Sequence, residues 1–306
     1  MQIETAREEA RTKAEAFLRG IFVRRARESH KGTYGKAVLC CGSSSYPGAA
    51  LLAAGGAVRA GAGLVYLLAP QEVLLPVRVR LPEVIGRVMP PLSEEPATYA
   101  TFLSEQQTGG AILIGCGIGR GKTDRFVSVL RELLAMPGVP LVLDADGLNM
   151  LAEEEDRGAY CLHGAKRAIV LTPHPLEFSR LTGISVKEIQ EDRSGHARAY
   201  AEQTGAVLVL KGADSVIACP DGRVWVNPTG SPALSKGGSG DVLAGLLTGL
   251  LAQGIDTYEA TCAAVCLHGL AGERLGREYS EYGVLPSDLA EAAAREIARL
   301  QEGALC

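Results

Sequence analysis

The sequence predicts an α/β protein with three layers, α/β/α, around a mostly parallel central sheet. Apolar runs of strand length recur along the 306 residues and alternate with longer Ala- and Leu-rich stretches of helical length. This alternation is typical of βα units, in which helices cover both faces of a parallel sheet. Because no internal repeat, low-complexity linker or charge-block boundary divides the chain, we predict one such domain rather than two.

Nine apolar runs are predicted strands, and their flanks carry Gly, Pro, Asp or Ser. The last two are separated by residues 219–223, whose Pro-Asp-Gly core is a strong turn signal. We therefore predict that these two strands form an antiparallel hairpin at one edge of the sheet. In chain order the predicted strands are Ala37–Cys41, Leu64–Leu68, Val84–Met89, Ala111–Ile114, Leu141–Leu143, Ala168–Leu171, Val207–Leu210, Val216–Ala218 and Val224–Val226.

The two ends of the chain are predicted to be helical. Residues 1–29 alternate Glu, Arg and Ala with spaced apolar residues, which predicts a surface helix in front of the main domain at residues 30–306. Ala-rich helices such as Leu51–Ala60 are expected to leave apolar faces for self-association, so we predict a homo-oligomer. Three further helices are predicted to close the chain as one layer: Asp241–Gln253, Thr257–Arg277 and Pro286–Leu300.

The composition, 47% hydrophobic and 22% charged with a net charge near −4, excludes collagen, disorder and nucleic-acid-coating tails. Lys and Arg number 31 against 35 Asp and Glu without a basic run, which argues against a nucleic-acid or anionic-membrane partner. No uncharged apolar stretch reaches the roughly 18 residues that a membrane span requires. Eight Cys without a signal sequence ahead of them predict reduced thiols in a cytoplasmic protein without disulfides.

The segment Ser235–Gly245 carries the strongest local signal for a functional site. Three glycines in four positions, Gly237, Gly238 and Gly240, precede an Ala- and Leu-rich helix. Such a turn can aim backbone N–H groups and the positive end of the helix at an anion, for which phosphate is the natural candidate. Asp241 could cap this helix or accept a proton from a substrate hydroxyl. The loop and this carboxylate together are typical of a phosphoryl-transfer site.

A second candidate is His174, which lies between two prolines where a predicted strand ends and a helix begins. The prolines hold the loop extended, and Thr172 and Glu177 are placed to satisfy N–H groups at the helix start. The imidazole is expected at the carboxyl end of a strand, where open α/β sheets bind ligands. A plain surface histidine is the alternative.

Two further segments follow predicted strands. Lys211 could lend a positive charge to a phosphate and Gly212 could let the backbone pass close to a ligand, although a plain turn would look the same. Asp144, Asp146 and Asn149 could hold Mg²⁺ through water, or simply begin a helix.

Two motifs are weaker than they look. Gly115–Thr123 resembles a phosphate-binding P-loop, but the first glycine of that motif would fall on Cys116, so the spacing misses by one residue. Cys262, Cys266 and His268 suggest a metal site, yet they lie in an apolar helical run without a fourth ligand in sequence. Core packing is the better interpretation, and we predict no metal site made of protein ligands alone.

Taken in order, six motifs resemble those of the ADP/ATP-dependent NAD(P)H-hydrate dehydratases, which belong to the ribokinase-like superfamily. The resemblance covers the chain from His30 to about residue 300 and implies a ribokinase-like fold. The motifs are His30–Gly35, Gly42–Ala50, Arg59–Leu64, Thr172–Pro175, Asn227–Gly230 and Lys236–Asp241.

The resemblance implies an enzyme, a hydro-lyase, that restores the S-form of hydrated NADH or NADPH, NADHX or NADPHX, to NADH or NADPH. The co-substrate is ADP or ATP with Mg²⁺; it phosphorylates the ring hydroxyl, and phosphate is then eliminated. We expect ADP to be preferred, because a stand-alone chain without a presequence looks bacterial. Many bacterial relatives carry an N-terminal epimerase domain, whereas only some thirty residues precede the match here, so we expect a separate epimerase.

The resemblance also implies roles for individual residues. Asp241 would deprotonate the hydroxyl of the hydrate, and the loop through Gly238, Ser239 and Gly240 would stabilise the transferring phosphoryl group. The implied contacts to the hydrated dinucleotide are Ala49, Gly117, His174 and Asp241. The implied contacts to the adenine nucleotide are Lys211, Gly212, Ala213, Asp214, Ser215 and Gly240.

Three residues depart from the family pattern: Ser239 replaces a usual Thr, Leu176 a common Gly and Cys116 a common Pro. None of the three removes a reacting group.

Two other functions remain open. A small-molecule kinase of the same superfamily, acting on a vitamin-precursor alcohol, would share the glycine loop. A non-catalytic nucleotide sensor would bind at the loop without reacting.

Overall fold

A nine-stranded sheet forms the centre of the molecule. The computed structural model describes residues 2–91, 95–105, 109–119, 121, 123–154 and 156–302. The predicted strands are confirmed, with bounds that match or differ by one residue at an end or at both ends. In chain order they are β1 (Lys36–Cys40), β2 (Leu64–Ala69), β3 (Ile85–Val88), β4 (Ala111–Ile114), β5 (Leu141–Leu143), β6 (Ile169–Leu171), β7 (Val207–Leu210), β8 (Val216–Ala218) and β9 (Val224–Val226).

The strand order across the sheet is β3-β2-β1-β4-β5-β6-β7-β8-β9. Pairing is parallel from β3 to β7, whereas β8 and β9 pair antiparallel, which confirms the predicted hairpin at one edge. The chain order reverses between β1 and β4, where Cys40 is in register with Ile114. At such a reversal the loops leave in opposite directions and open a crevice beyond the carboxyl ends of the strands.

Helices cover both faces of this sheet, which confirms the three-layer α/β/α architecture. A hydrophobic core lies on each face of the sheet, and neighbouring residues of a strand point to opposite faces: Leu39 packs into one core and Val38 into the other. The helices are α1 (Gln2–Ile21), α2 (Pro47–Arg59), α3 (Gln71–Arg80), α4 (Pro96–Glu105), α5 (Thr123–Ala135), α6 (Asp146–Ala152), α7 (Ala159–His163), α8 (Pro175–Thr182), α9 (Val186–Glu191), α10 (Arg193–Thr204), α11 (Ser239–Ala252), α12 (Thr257–Gly283, with a non-helical residue at Ser280) and α13 (Pro286–Glu302).

Helices α2 and α11 pack against each other at backbone distance. A Cβ placed on Gly245 would lie 2.0 Å from the Ala53 carbonyl oxygen, and one on Gly56 would lie 2.5 Å from that of Val242. Ala50, Ala53, Ala54 and Ala57 of α2 are buried. The face of α2 that carries these alanines therefore packs inside the chain and is not available for self-association. The homo-oligomer itself stays a prediction.

Helix α1 ends at Ile21, earlier than the predicted segment 1–29. Its Leu18 is fully buried in the core and the Phe17 ring lies 6.4 Å from that of Trp225 on β9. The outward face is exposed, as predicted for a surface helix. The inward face makes the helix a part of the domain's packing.

The described thiols are free and buried: Cys40, Cys41, Cys116, Cys219, Cys262 and Cys266.

Among the residues that the structure describes, no helix is long and apolar enough to cross a membrane.

Candidate active site

The glycine loop ends at Gly238, the N-cap of α11, whose φ of 100° lies in the left-handed region that glycine tolerates. Helix α11 therefore begins at Ser239, two residues before the predicted start. N–H groups in the first turn of a helix have no intrahelical acceptor and point away from the helix, so they can face an anion. Lys236 does not join them: its Nζ donates to the carbonyl oxygens of Tyr282 and Val284, at 2.6 Å each, and so ties the loop to the α12–α13 connection.

Asp241 lies in the first turn of α11 and is largely withdrawn from solvent. The N-cap position belongs to Gly238, which has no side chain, so Asp241 is not the capping residue. Burial, reinforced by the negative charge of Asp144, raises the pKa of Asp241 from 3.8 to about 6. A carboxylate of this basicity suits a general base that works near neutral pH.

An ion pair lies beside the loop. Lys211 Nζ donates to Asp144 Oδ1 at 2.8 Å and lies 4.0 Å from Glu177 Oε2. Burial opposes the charge of Lys211, but the two carboxylates outweigh it and raise the pKa of the ammonium. A Cβ placed on Gly240 would lie 3.3 Å from this Nζ, so the cation faces the start of α11 directly. Sequence reasoning treated Lys211 and Asp144 separately and missed their pairing.

A thiol completes the cluster around Asp241. The side-chain ligand atoms of Cys116, Asp144 and Asp241 lie within 4.8 Å of one another, and Cys116 Sγ is 3.7 Å from Asp144 Oδ2. A hydrogen bond with Cys41 and burial raise the pKa of Cys116 well above its usual value, so the thiol is neutral and can donate to carboxylates.

The Asp144–Asn149 segment does not form a convergent ligand set for Mg²⁺. Asp146 Oδ2 accepts from the Gly119 N–H at 2.9 Å, and Asn149 Oδ1 accepts from Arg180 at 2.6 Å. Asp146 begins α6, as the alternative interpretation held. Only Asp144 of this segment reaches the cluster around Asp241.

His174 is the N-cap of α8. Its Nδ1 accepts the N–H groups of Leu176 and Glu177 at 3.2 Å each, while Glu177 Oε2 accepts from the His174 N–H at 2.8 Å. The predicted role of Glu177 at the helix start is thus confirmed, whereas Thr172 instead donates to the Leu143 carbonyl oxygen. Burial and Lys211 lower the pKa of His174, so the neutral ring carries its proton on Nε2, next to Glu177. The imidazole is 45% exposed and can still offer this edge to a ligand.

A cavity of about 550 Å³ opens next to the loop. It is lined by the whole Lys211–Ser215 turn, by Gly240 and by His174, so the structure brings together the residues implied for the nucleotide. Asn227 and Thr229 from the loop after β9 also line it, and sequence reasoning assigned them no contact. Their motif, Asn227–Gly230, was the signal that could have found them.

His268 also lines the cavity, although sequence reasoning assigned it to core packing. Burial lowers the pKa of His268 to about 4, and its neutral Nε2 lies 3.2 Å from Ser239 Oγ. The Ser239 hydroxyl is therefore turned toward α12, and this residue faces the anion site with its backbone. Cys262 and Cys266 are packed in the core, as predicted.

Ala49 and Gly117 meet at the crevice between β1 and β4. A Cβ placed on Gly117 would lie 2.7 Å from Ala49 Cβ and 2.8 Å from Tyr46 Cβ. Cys116, the chain neighbour of Gly117, is part of the cluster around Asp241. Ala49 and Gly117 therefore lie next to that cluster. Of the P-loop-like segment, residues 120 and 122 lie outside the described residues.

Comparison with known proteins agrees with this geometry. A model of the NAD(P)H-hydrate dehydratase family matches residues 37–295. The ADP-dependent (S)-NAD(P)H-hydrate dehydratase of Bacillus subtilis is 37% identical over 288 residues, which are 92% of this chain and 95% of that protein. The chain spans about half the length of the bifunctional NAD(P)H-hydrate repair enzymes that it also matches, for example 54% of the one from Moorella thermoacetica.

Solved structures give the same result. The ADP/ATP-dependent NAD(P)H-hydrate dehydratase of Bacillus subtilis, co-crystallised with ATP and Mg²⁺, has a TM-score of 0.79 at 35% identity and covers 94% of this chain and 97% of its own. A ribokinase-like superfamily protein of Enterococcus faecalis has a TM-score of 0.78 at 25% identity, with 94% and 95% covered. The implied ribokinase-like fold is confirmed, and the chain belongs to the NAD(P)H-hydrate dehydratase family.

Proposed function

We propose that this protein dehydrates the S-form of NADHX and NADPHX to NADH and NADPH, with ADP preferred over ATP as the phosphoryl donor. The observation that carries the proposal is the position of Asp241. This carboxylate, with its pKa raised to about 6, lies at the N-terminal end of α11 beside the nucleotide cavity and close to the crevice at Ala49 and Gly117. A base between a phosphoryl donor and a hydroxyl is what the reaction needs.

In the first step, the ring hydroxyl oxygen of the hydrate attacks the terminal phosphorus of the nucleotide, the bond from that phosphorus to the bridging oxygen breaks, and AMP leaves from ADP or ADP from ATP. Asp241 accepts the hydroxyl proton, while the first N–H groups of α11, at Ser239 and Gly240, stabilise the charge on the transferring phosphoryl group. Lys211 adds a positive charge at Gly240. In the second step, phosphate leaves with the electrons of the carbon–oxygen bond and a proton is lost from the neighbouring carbon, which restores the double bond.

The substrate contacts that we propose are Ala49, Gly117, His174 and Asp241. The nucleotide contacts are Lys211, Gly212, Ala213, Asp214, Ser215 and Gly240, all of which line the cavity. Mg²⁺ would neutralise nucleotide phosphates and is held in such sites by one or two carboxylates besides phosphate oxygens. Asp144 is the carboxylate that fits this need, since Asp241 acts as the base and a neutral thiol is a poor magnesium ligand.

The decisive experiment mixes the purified protein with chemically hydrated NADH and Mg²⁺, adds ADP or ATP in parallel, and follows the near-ultraviolet absorbance of reduced nicotinamide. Recovery of absorbance, faster with ADP, is the expected result. Protein that binds nucleotide but restores no absorbance with either donor would contradict the proposal and favour a small-molecule kinase.

We further propose that the protein works in the cytoplasm as a homo-oligomer, alongside a separate NAD(P)H-hydrate epimerase. Buried free thiols are consistent with a reducing compartment. An epimerase would convert the other form of the hydrate into the S-form that this site accepts. Light scattering of the purified protein measures the oligomeric state, and a strict monomer would contradict that part.

A further inference from the structure

The N-terminal helix α1 reaches the nucleotide cavity, although the family match begins only at residue 37. Arg7 of this helix is one of the residues that line the cavity. Its Nη2 lies 3.5 Å from Asp214 Oδ1, and its Nε donates to the Pro228 carbonyl oxygen at 3.5 Å. Both contacts are long, so most of the donor capacity of the guanidinium remains available to a ligand.

The packing of α1 sets the backbone position of Arg7, and these two contacts involve only its guanidinium. One turn further on, Arg11 pairs with Glu273 of α12 at 2.6 Å. The other oxygen of that carboxylate accepts the N–H of Gly230, which itself lines the cavity, at 2.9 Å. Leu18 of α1 is buried in the core, so the helix is packed against the domain and supports the cavity wall.

Charge divides the cavity into two ends. At the inner end, Lys211 and the start of α11 provide the positive surroundings that a transferring phosphoryl group requires. At the outer rim, Asp214 is 57% exposed and its carboxylate disfavours a second phosphate there. The nucleoside end of the ligand therefore belongs at the rim, where Arg7 lies.

We propose that Arg7 binds the nucleotide by stacking its guanidinium on the adenine base, with Asp214 and the Pro228 carbonyl orienting the guanidinium plane. This inference rests on the proposed nucleotide site. A planar, delocalised and weakly hydrated cation suits the face of an aromatic ring better than the compact, strongly hydrated ammonium of Lys. Helix α1 thereby becomes part of the nucleotide site.

The test compares Arg7→Ala, Arg7→Lys and Lys13→Ala with the unaltered protein. Lys13 is a matched control, because it is an exposed cation on the same helix that does not line the cavity. Calorimetry measures the binding of ADP, AMP and inorganic pyrophosphate, and the absorbance assay gives kcat and KM. For Arg7→Ala we expect the Kd of ADP and of AMP to rise by about two- to fivefold, which is the range of one exposed cation–π contact. The KM for ADP should rise by the same factor, whereas pyrophosphate binding should stay unchanged.

Arg7→Lys should recover at most part of the affinity that Arg7→Ala loses, and Lys13→Ala should behave like the unaltered protein. Equal affinity of Arg7→Ala and the unaltered protein for ADP would overturn the inference. A loss shared by pyrophosphate, or full rescue by Lys, would also overturn it, because either would show that Arg7 acts through charge on phosphates. These readouts do not depend on turnover: if the proposed reaction failed, no variant would restore absorbance, while the binding comparison would still decide the role of Arg7.

Discussion

Replacing Asp241 by Asn tests the base while keeping the shape of the side chain. General-base catalysis typically contributes a factor of about 10² to 10⁴, so we expect kcat to fall by about 10² or more while the Kd of ADP changes little. Asp221→Asn, in the exposed turn between β8 and β9, removes a carboxylate elsewhere and should leave kcat unchanged. Near-normal turnover in Asp241→Asn would remove this residue from the mechanism.

The same carboxylate predicts the pH dependence. With the pKa of Asp241 at about 6, the ionised fraction is about one tenth at pH 5 and about nine tenths at pH 7. The kcat/KM for hydrated NADH should therefore rise about tenfold between these pH values, measured by the recovery of nicotinamide absorbance at limiting hydrate. A flat profile over this range would refute the assignment of Asp241 as the base.

The raised pKa also predicts that Asp241→Asn, although it lowers activity, stabilises the folded protein near neutral pH. Since the folded pKa of Asp241 lies above its ordinary value of 3.8, the native state binds this proton more tightly, and stability is lost as pH rises from about 4 to about 6. Two pKa units correspond to about 3 kcal/mol. Above pH 6, Asp241→Asn should raise the free energy of unfolding by up to about 3 kcal/mol, and below pH 4 by nothing. Urea unfolding at pH 4 and pH 7 measures this, and a variant less stable than the unaltered protein at pH 7 would contradict the cause assigned to the shift.

Two further predictions concern stability. Lys211→Met leaves the buried Asp144 carboxylate without its partner and should lower the free energy of unfolding at pH 7 by about 3 to 5 kcal/mol, measured in urea; an unchanged value would show that the pair contributes nothing. Gly245→Ala forces a methyl group against the Ala53 carbonyl and should lower the thermal midpoint through about 1 to 3 kcal/mol of strain. Gly20→Ala in α1, with open space around it, is the control and should stabilise the protein by up to about 1 kcal/mol. Equal shifts of the thermal midpoint in the two variants would refute the packing argument.

The sheet could be predicted because its signal is local. Strand β4 is buried along its whole length, so Ala111–Ile114 appears in the sequence as an unbroken apolar run with turn residues on both sides. The start of α11 was missed by two residues because glycines usually end a helix, whereas here Gly238 begins one from a left-handed conformation. The inward face of α1 was also missed. Its apolar residues are spaced among charges, and only the presence of Trp225 on β9 shows what they cover.

The site was predictable in its parts but not in its connections. His174 and Lys211 each stand out because they follow a buried strand, yet no local pattern shows that Lys211 meets an Asp144 that lies 67 residues earlier. Such a pairing follows from the strand order, which places β5, β6 and β7 side by side. The same holds for Cys116, whose thiol reaches the Asp241 cluster only because β4 adjoins β5.

The backbone between Asp144 and Asp146 gives a physical reason for this arrangement. Ala145 has a φ of 50° and a ψ of −116°, a sparsely populated conformation that costs a non-glycine residue about 1 to 3 kcal/mol. The neighbouring carboxylates need different directions: Asp144 turns to Lys211, while Asp146 turns to the N–H of Gly119. In an ordinary strand, residues two apart point to the same side, so one of these two bonds would be lost. The strain at Ala145 is thus the local cost of directing Asp144 to Lys211 and Asp146 to Gly119, and the chain departs from its own backbone preferences beside the cluster around Asp241.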